Sequence, residues 1–190
     1  MLLTLSTGSL RTRIGRNGQG GMSLLDVPEF VIKRLQLHGL NILASMLLNW
    51  SLEDLDTLRD RADKASCPCL VLVEDSPLTL ASDDSGLRAK AAERVRRLAL
   101  AANRLGCNAV AITADAPDTE DAFDLVVSEL KGLMPVVERL ELNILLAPCR
   151  GLTQTTEKLT SIIKRVGGFR IGSLPSFAAA AASKMRCASL

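Results

Sequence analysis

Along this chain, apolar residues at helical spacing repeatedly give way to short continuous apolar runs. The switch is clearest at residues 91–117, AAERVRRLALAANRLGCNAVAITADAP. Through ERVRRLALAANRL the apolar positions fall three and four apart, the period of an amphipathic helix, and the pattern stops at Leu105-Gly106-Cys107. An apolar run over 109–113 follows at once and closes at Ala114-Asp115, the length of a buried strand. The succession recurs in VIKRLQLHGLNILAS, with a helix stop at His38-Gly39 and a strand over 41–44. LRDRADKASCPCLVLVED predicts a helix to about Ala65 and a strand over 70–73. MPVVERLELNILLAP predicts a helix to about Leu140 and a strand over 143–146. IIKRVGGFRIGSLP stops a helix at Gly167-Gly168 and starts a strand at Phe169. The copies share little identity, so the repeat is one of structure. Strand starts recur about every 30 residues, the size of one βα unit of an eight-fold barrel.

The stretches between these copies complete the reading. Residues 2–10 (LLTLSTGSL) predict a first strand, and the basic, glycine-rich residues 11–22 (RTRIGRNGQGGM) a loop whose N–H groups and three arginines suit an anion. No Gly-Lys-Ser/Thr follows, so it is not a P-loop. Asp26 predicts a cap and Pro28 a first turn for the first helix, and His38 lies at its C-terminal end, where the dipole favours it. The second strand is predicted to run on to Leu48 and end in Asn49-Trp50, before a Ser51/Asp54 capping box. The third stops at Glu74-Asp75, and an acidic loop over 76–86 follows. The fourth ends at Asp115. Asp118 or Thr119 then caps a helical region in which Gly132 and Pro135 predict a break or kink. The fifth ends in Ala147-Pro148-Cys149-Arg150-Gly151, and Thr153 or Thr155 starts a helix through Val166. The sixth runs over 169–174, residues 178–182 start a further helix, and 183–190 form a tail to a single domain over 1–182.

Strands with continuous apolar cores, separated by helices and with no hairpin, predict an α/β fold: a parallel sheet covered by helices. A doubly wound open sheet and a βα barrel both fit. In either, ligands meet the carboxyl ends of the strands. The residues there are Ser9, Arg11, Asn49, Glu74, Asp75, Asp115, Arg150, Ser173 and Ser176. Glu74, Asp75 and Asp115 end neighbouring strands, where carboxylates serve as acid and base beside a sugar carbonyl or bind a divalent cation. Arg11 and Arg150 suit a phosphate, with Asn49, Ser173 and Ser176 as further substrate contacts. Each acid also has an ordinary reading as a helix cap or a solvated loop residue.

Composition narrows the partners. The chain has 190 residues, 47% hydrophobic and 23% charged, with a net charge of +2, so no strong field for nucleic acid or membrane follows. Aromatics at 3% give no stacking surface. The five cysteines fit no zinc spacing, and Cys67-Pro68-Cys69 lacks the C-x-x-C of a redox site. They read as buried free thiols in a reducing compartment, the cytoplasm. No signal peptide or membrane span is expected.

The phrases AANRLGCNAVAI, GLTQTTEKLTSIIKRVGGFRIGSLPSF and LDVPEFVIKRLQLHGLNI resemble the xylose isomerase-like TIM-barrel superfamily, within it the sugar phosphate isomerases/epimerases. The resemblance covers residues 2 to about 182. It implies a barrel of eight βα units, a sugar or sugar phosphate in its mouth, and often a divalent metal such as Mn or Mg. Metal-dependent members hold it with a Glu after strand five, an Asp after strand six, and a His and a Glu from strands seven and eight. Here Ala147 stands in the Leu-Glu-Pro position and Ser176 in that of the Asp, and no sequence remains for two further strands. The expectation is therefore a truncated, incomplete barrel of about six parallel strands without the usual metal ligands, with a homodimer through open sheet edges as one way to close it. The implied activity is isomerisation or epimerisation by proton transfer next to a carbonyl. The alternative is a non-catalytic relative that binds a small polyol or a protein. A nicotinamide-dependent redox enzyme is disfavoured, since GRNGQGG is the wrong glycine pattern.

Overall fold

The computed structural model describes residues 3–14 and 21–176. Six strands alternate with five helices: β1 (Leu5–Ser6), α1 (Val27–Phe30, continued by a π turn, Val31–Leu35), β2 (Leu40–Leu43), α2 (Leu52–Lys64), β3 (Cys69–Val73), α3 (Ser85–Arg104), β4 (Ala109–Ile112), α4 (Glu120–Arg139), β5 (Asn143–Leu146), α5 (Thr156–Val166) and β6 (Ile171–Ser173). The strands form one sheet in the order β1-β2-β3-β4-β5-β6, and every pair is parallel. Strand order thus follows chain order. A doubly wound sheet would reverse direction at a switch point, and none exists here. The winding is that of a βα barrel, and among the described residues the sheet stays open between β1 and β6. The predicted helix over 178–182 and the tail lie outside the described residues.

The pleat sorts the strand residues. Leu40, Ile42, Leu72, Val110, Ile112, Ile144 and Leu146 are buried in one cluster with the helix residues Val27, Leu58, Val95, Val126, Leu130 and Ile162. Residues of the opposite parity, Asn41, Val71, Val73, Asn143 and Leu145, are only half-buried and line the concave inner face. Fully burying one such aliphatic side chain stabilises by about 1.5–3 kcal/mol, so the sheet–helix layer carries the fold.

Local signals explain most helix ends. At α2, Asp54 N–H donates to Ser51 Oγ at 3.1 Å, and Ser51 N–H donates to Asp54 Oδ2 at 2.8 Å. Thr119 and Thr155 cap α4 and α5, and Asp84 caps α3. Gly106, at φ +74°, turns the chain from α3 into β4, a conformation open to glycine at little cost.

Several boundaries differ from the sequence reading, each for a visible reason. The first helix ends at Leu35, with Gln36 left-handed at φ 56°, and not at His38-Gly39. Asp26 makes no side-chain cap bond; it pairs instead with Arg61 at 2.7 Å, and Ser23 caps the preceding turn. β1 is two residues long because Ser6 Oγ accepts from Gly8 N–H at 3.3 Å and starts a 3-10 turn, Thr7–Leu10. β2 stops at Leu43, whose N–H donates to the buried Thr7 Oγ1 at 3.0 Å, and a second 3-10 turn, Ala44–Leu47, replaces the predicted strand end. β4 and β6 are likewise shorter than predicted, whereas β3 begins one residue earlier, at Cys69. α4 runs unbroken through Gly132 and Pro135. Seven of its side chains are buried, among them Val126, Leu130, Leu133 and Val137, and this burial outweighs the missing proline donor.

Leu72 is fully buried at the centre of β3. Leu72→Ala should lower unfolding stability by about 2–5 kcal/mol in denaturant titration, the range for a cavity in a close-packed core.

Candidate active site at the strand ends

Parallel strands in sequence order bring all six carboxyl ends to one rim, and the residues singled out above divide there into groups with different fates. Glu74 is 5% exposed, and its Oε2 accepts from Arg94 Nε of α3 at 2.6 Å. Its Oε1 accepts from Ser76 N–H at 3.1 Å. Glu74 therefore joins β3 to the helix layer, on the side away from Asp75. The expectation that it converges with Asp75 and Asp115 is corrected: successive residues leave a strand on opposite faces.

Asp75 follows Val71 and Val73 on the inner face. Its Oδ2 accepts from Ser45 Oγ at 2.7 Å and from Arg11 Nη2 at 2.5 Å, and its Oδ1 accepts from Ser45 N–H at 3.2 Å. One carboxylate thus ties together the loops after β1, β2 and β3. Partial burial opposes its ionisation, but the Ser45 hydroxyl and N–H, its own N–H and the Arg11 guanidinium outweigh that and hold the carboxyl below its ordinary value of 3.8.

Asp115 and Arg150 stand apart from this network. Beyond the strand ends, Leu78 pairs with Ala114 and Ala116 pairs with Gly151. Asp115 N–H donates to Leu78 O at 2.8 Å, and Leu152 N–H to Ala116 O at 2.9 Å. Ala114 and Ala116 are buried among the helix residues, so Asp115 between them is turned the other way, and it is exposed. Gly151 has φ +86°, and a Cβ there would lie 2.2 Å from Ala116 O, so only glycine lets the two loops meet. Arg150, immediately before it, is exposed. Thr153, fully buried, holds the other side of this loop by accepting from Cys149 N–H at 3.0 Å. Among the described residues, neither the Asp115 nor the Arg150 side chain has a hydrogen bond or ion pair.

The other candidates are spread around the rim. Asn49 is exposed at φ 65°, a left-handed turn position that asparagine tolerates. Ser9 lies exposed in the turn after β1. Ser173 ends β6 exposed, and Ser176 is half-buried. Ala147 follows β5, its N–H donating to Ile112 O at 2.9 Å. Of the glycine-rich loop, residues 15–20 lie outside the described residues; at its base, Met22 N–H donates to Arg13 O at 2.7 Å.

A hard cation does not fit this rim. Among the described residues no three His, Cys, Asp or Glu side chains converge, Ala147 has no ligating atom, and the Asp75 oxygens are engaged by Ser45 and Arg11. The buried thiols of Cys67 and Cys69 precede or open β3, and that of Cys107 precedes β4, at the other end of the sheet. Burial pushes Cys67 up to about 11; burial, with Cys67 and Asp63 nearby, pushes Cys69 up to about 12. They are poor nucleophiles. A groove of about 580 Å³ between α1 and α2, lined by Leu25, Glu29, Ile32, Lys33, Arg61, Lys64 and Ala65, lies in the helix layer and not at the rim.

Two partners escaped the sequence reading. Ser45 stands just past the apolar core of the second strand and was open to inspection as a strand-end hydroxyl. Arg94 had no such signal, being one of five arginines on α3; only its packing against Glu74 singles it out.

The geometry agrees with what this chain is similar to. Residues 32–181 match the family described as xylose isomerase-like TIM barrel. No curated protein sequence matches the chain. Among solved structures, D-psicose 3-epimerase from Clostridium cellulolyticum superposes with a TM-score of 0.78 at 16% identity, over 92% of this chain and 63% of that one. The probable 3-DHS dehydratase of Bacillus anthracis gives 0.77 at 15%, over 94% and 64%. The 3-keto-D-glucoside 4-epimerase of E. coli gives 0.72 at 13%, over 86% and 67%. The chain spans 58% of a further D-psicose 3-epimerase structure, so its likeness to these proteins is one of fold over part of their length.

Two outcomes test the rim. Glu74→Ala leaves the Arg94 guanidinium without its buried partner and should cost about 1–3 kcal/mol in denaturant unfolding. Asp75 has a depressed folded-state pKa, so its contribution is full above the unfolded value of 3.8 and is lost as pH falls through the folded one. The stability gap between wild type and Asp75→Asn, read by denaturant titration across acid pH, should therefore narrow as pH drops below 3.8.

Proposed function

Since the chain belongs to the xylose isomerase-like TIM-barrel family, we propose that its strand-end rim binds a small sugar or sugar phosphate and moves a proton next to the sugar's carbonyl. The observation that carries this reading is the pair of unengaged side chains, Asp115 and Arg150, on two loops bonded to each other through Ala116 and Gly151. Asp115 takes the proton from the carbon beside the carbonyl. The C–H electron pair becomes the C=C bond of an enediolate, and the carbonyl π pair moves onto oxygen. The Arg150 guanidinium stabilises that oxyanion by charge and hydrogen bonding. Protonation of the same carbon from the opposite face, by solvent, completes epimerisation; return of the proton to the neighbouring carbon, with the hydroxyl proton passing to the former carbonyl oxygen, completes isomerisation. Asp75, held ionised, anchors a substrate hydroxyl, and Asn49, Ser173 and Ser176 remain rim contacts for other hydroxyls. Glu74 has no part, being turned into the helix layer. No step is routed through a metal.

A second reading has its own observation: β5 is followed by Ala147, whose side chain cannot ligate, where the resemblance implies a glutamate in metal-dependent members. On that reading the chain binds a polyol or a protein partner without turnover. Among the described residues the outer edges of β1 and β6 have no partner strand, which favours a homodimer, and the buried thiols favour a reducing cytoplasm. Among the described residues no helix is long and apolar enough to cross a membrane.

Deuterium wash-in from solvent separates the two readings. A ketohexose and its phosphate are incubated with the chain in D₂O and followed by NMR. Proton transfer predicts exchange at the carbon beside the carbonyl, lowered about 10²–10⁴-fold in Asp115→Asn. Saturable sugar binding without exchange would establish the binding relative. Neither exchange nor binding would sink both.

A further inference from the structure

The clamp on Asp75 has two halves of unequal firmness. Ser45 contributes a backbone N–H and a hydroxyl, both fixed by the end of β2. Arg11 contributes the end of a long side chain that is 57% exposed, whereas the Asp75 side chain is 18% exposed. The Arg11 backbone closes the 3-10 turn after β1, its N–H donating to Gly8 O at 3.3 Å, so its guanidinium reaches Asp75 from an independent loop. Losing Arg11 would not release Asp75. The carboxylate would keep its orientation on Ser45 and gain an unoccupied site on Oδ2. Arg13, two residues on, is also exposed, and its side chain has no partner among the described residues. An incoming anion therefore meets one guanidinium with no partner among the described residues and one, itself largely exposed, held by a single carboxylate; the exposed end leaves that ion pair open to screening and to competing anions. Phosphate offers more acceptor oxygens and more charge than a carboxylate, and it matches the guanidinium fork in two-point fashion.

We propose that Arg11 is an exchangeable cover on Asp75: the phosphate of a phosphorylated sugar draws the guanidinium away, and Asp75, still held by Ser45, accepts a hydroxyl of the same molecule. This rests on the reading of the rim as a sugar-binding mouth and names its ligand as a sugar monophosphate. A neutral sugar leaves the cover in place and meets Asp75 with its Oδ2 taken by Ser45 and Arg11. A phosphorylated one opens the site it then fills. The charged group facing Asp75 from the β1 loop is Arg11, and from the β2 loop Asp75 meets only the neutral Ser45.

The test is an NMR titration of the isotope-labelled chain, following the Arg11 guanidinium and Asp75 carboxyl signals. Inorganic phosphate, a neutral hexose and a hexose 6-phosphate are added in turn, with chloride as a control at matched ionic strength. The expected result is a saturable shift of both signals with inorganic phosphate. Asp75 should move toward the position it holds in Arg11→Gln, and chloride should have no such effect. Phosphate affinity should fall about tenfold or more in that variant, the loss of one charge-assisted contact. Hexose 6-phosphate should bind more tightly than phosphate or hexose alone. Phosphate that moves neither signal, or moves Arg11 while Asp75 stays still, overturns the proposal, as does unchanged phosphate binding by Arg11→Gln. A neutral hexose that binds at Asp115 while phosphate leaves Arg11 unmoved also overturns it, and leaves the sugar-binding reading of the rim standing.

Discussion

A parallel strand can be followed by another only if the chain first returns to the starting end of the sheet, and in this molecule each return from β2 onward is an amphipathic helix laid on the same side. That constraint produces nearly everything else. It commits one parity of strand residues to the helices and leaves the other parity on a concave face. It also collects the residues that follow the strands along one rim, so Arg11, Ser45 and Asp75 meet there, and the loops of Asp115 and Arg150 meet there, although these residues span most of the chain. The order β1 to β6 adds no chemistry of its own; it supplies the address at which chemistry can be assembled.

At that address the charges are unequally used. Glu74 and Arg94 neutralise each other between sheet and helix, and Arg11 and Asp75 do so across the loops after β1 and β3. Among the described residues, the Asp115 and Arg150 side chains have no hydrogen bond or ion pair. The distinction matters because an acid's residue type says little about its availability. A carboxylate already accepting three hydrogen bonds is a good anchor and a poor base, whereas an unengaged one on a fixed loop suits proton transfer.

How much of this was legible in the sequence depended on how far apart the deciding atoms lie. Ser51 with Asp54 and the turn at Gly106 act within a few residues, and the pattern alone places them; at α5 it leaves Thr153 or Thr155, of which Thr155 is the cap. The six strands and five helices are likewise visible in period. Strand ends were not, because β2 is cut short by Thr7, more than thirty residues earlier in the chain. The path of α4 was misread because Pro135 is a local signal and the burial of Leu130 and Leu133 is a tertiary one. The choice between a barrel and a doubly wound sheet could not be read from period, since both windings need the same local periods; the family resemblance pointed to the incomplete barrel that the strand order shows. Of the site, the acids at the strand ends were identifiable by position, but whether each faces the mouth or the helices turned on a single residue of register. That is the difference between Glu74 and Asp75.

The backbone bridges beyond the strand ends have a thermodynamic meaning for anything that enters the mouth. Leu78 with Ala114, and Ala116 with Gly151, carry the sheet's hydrogen bonding past β4 into segments that would otherwise be loose connections. Ordering a loop around a ligand consumes conformational entropy that must come out of the affinity. Here the loops after β3, β4 and β5 are already bonded edge to edge, so that entropy is surrendered when the chain folds. At these three loops, what a ligand would have to order is confined to the tips of a few side chains.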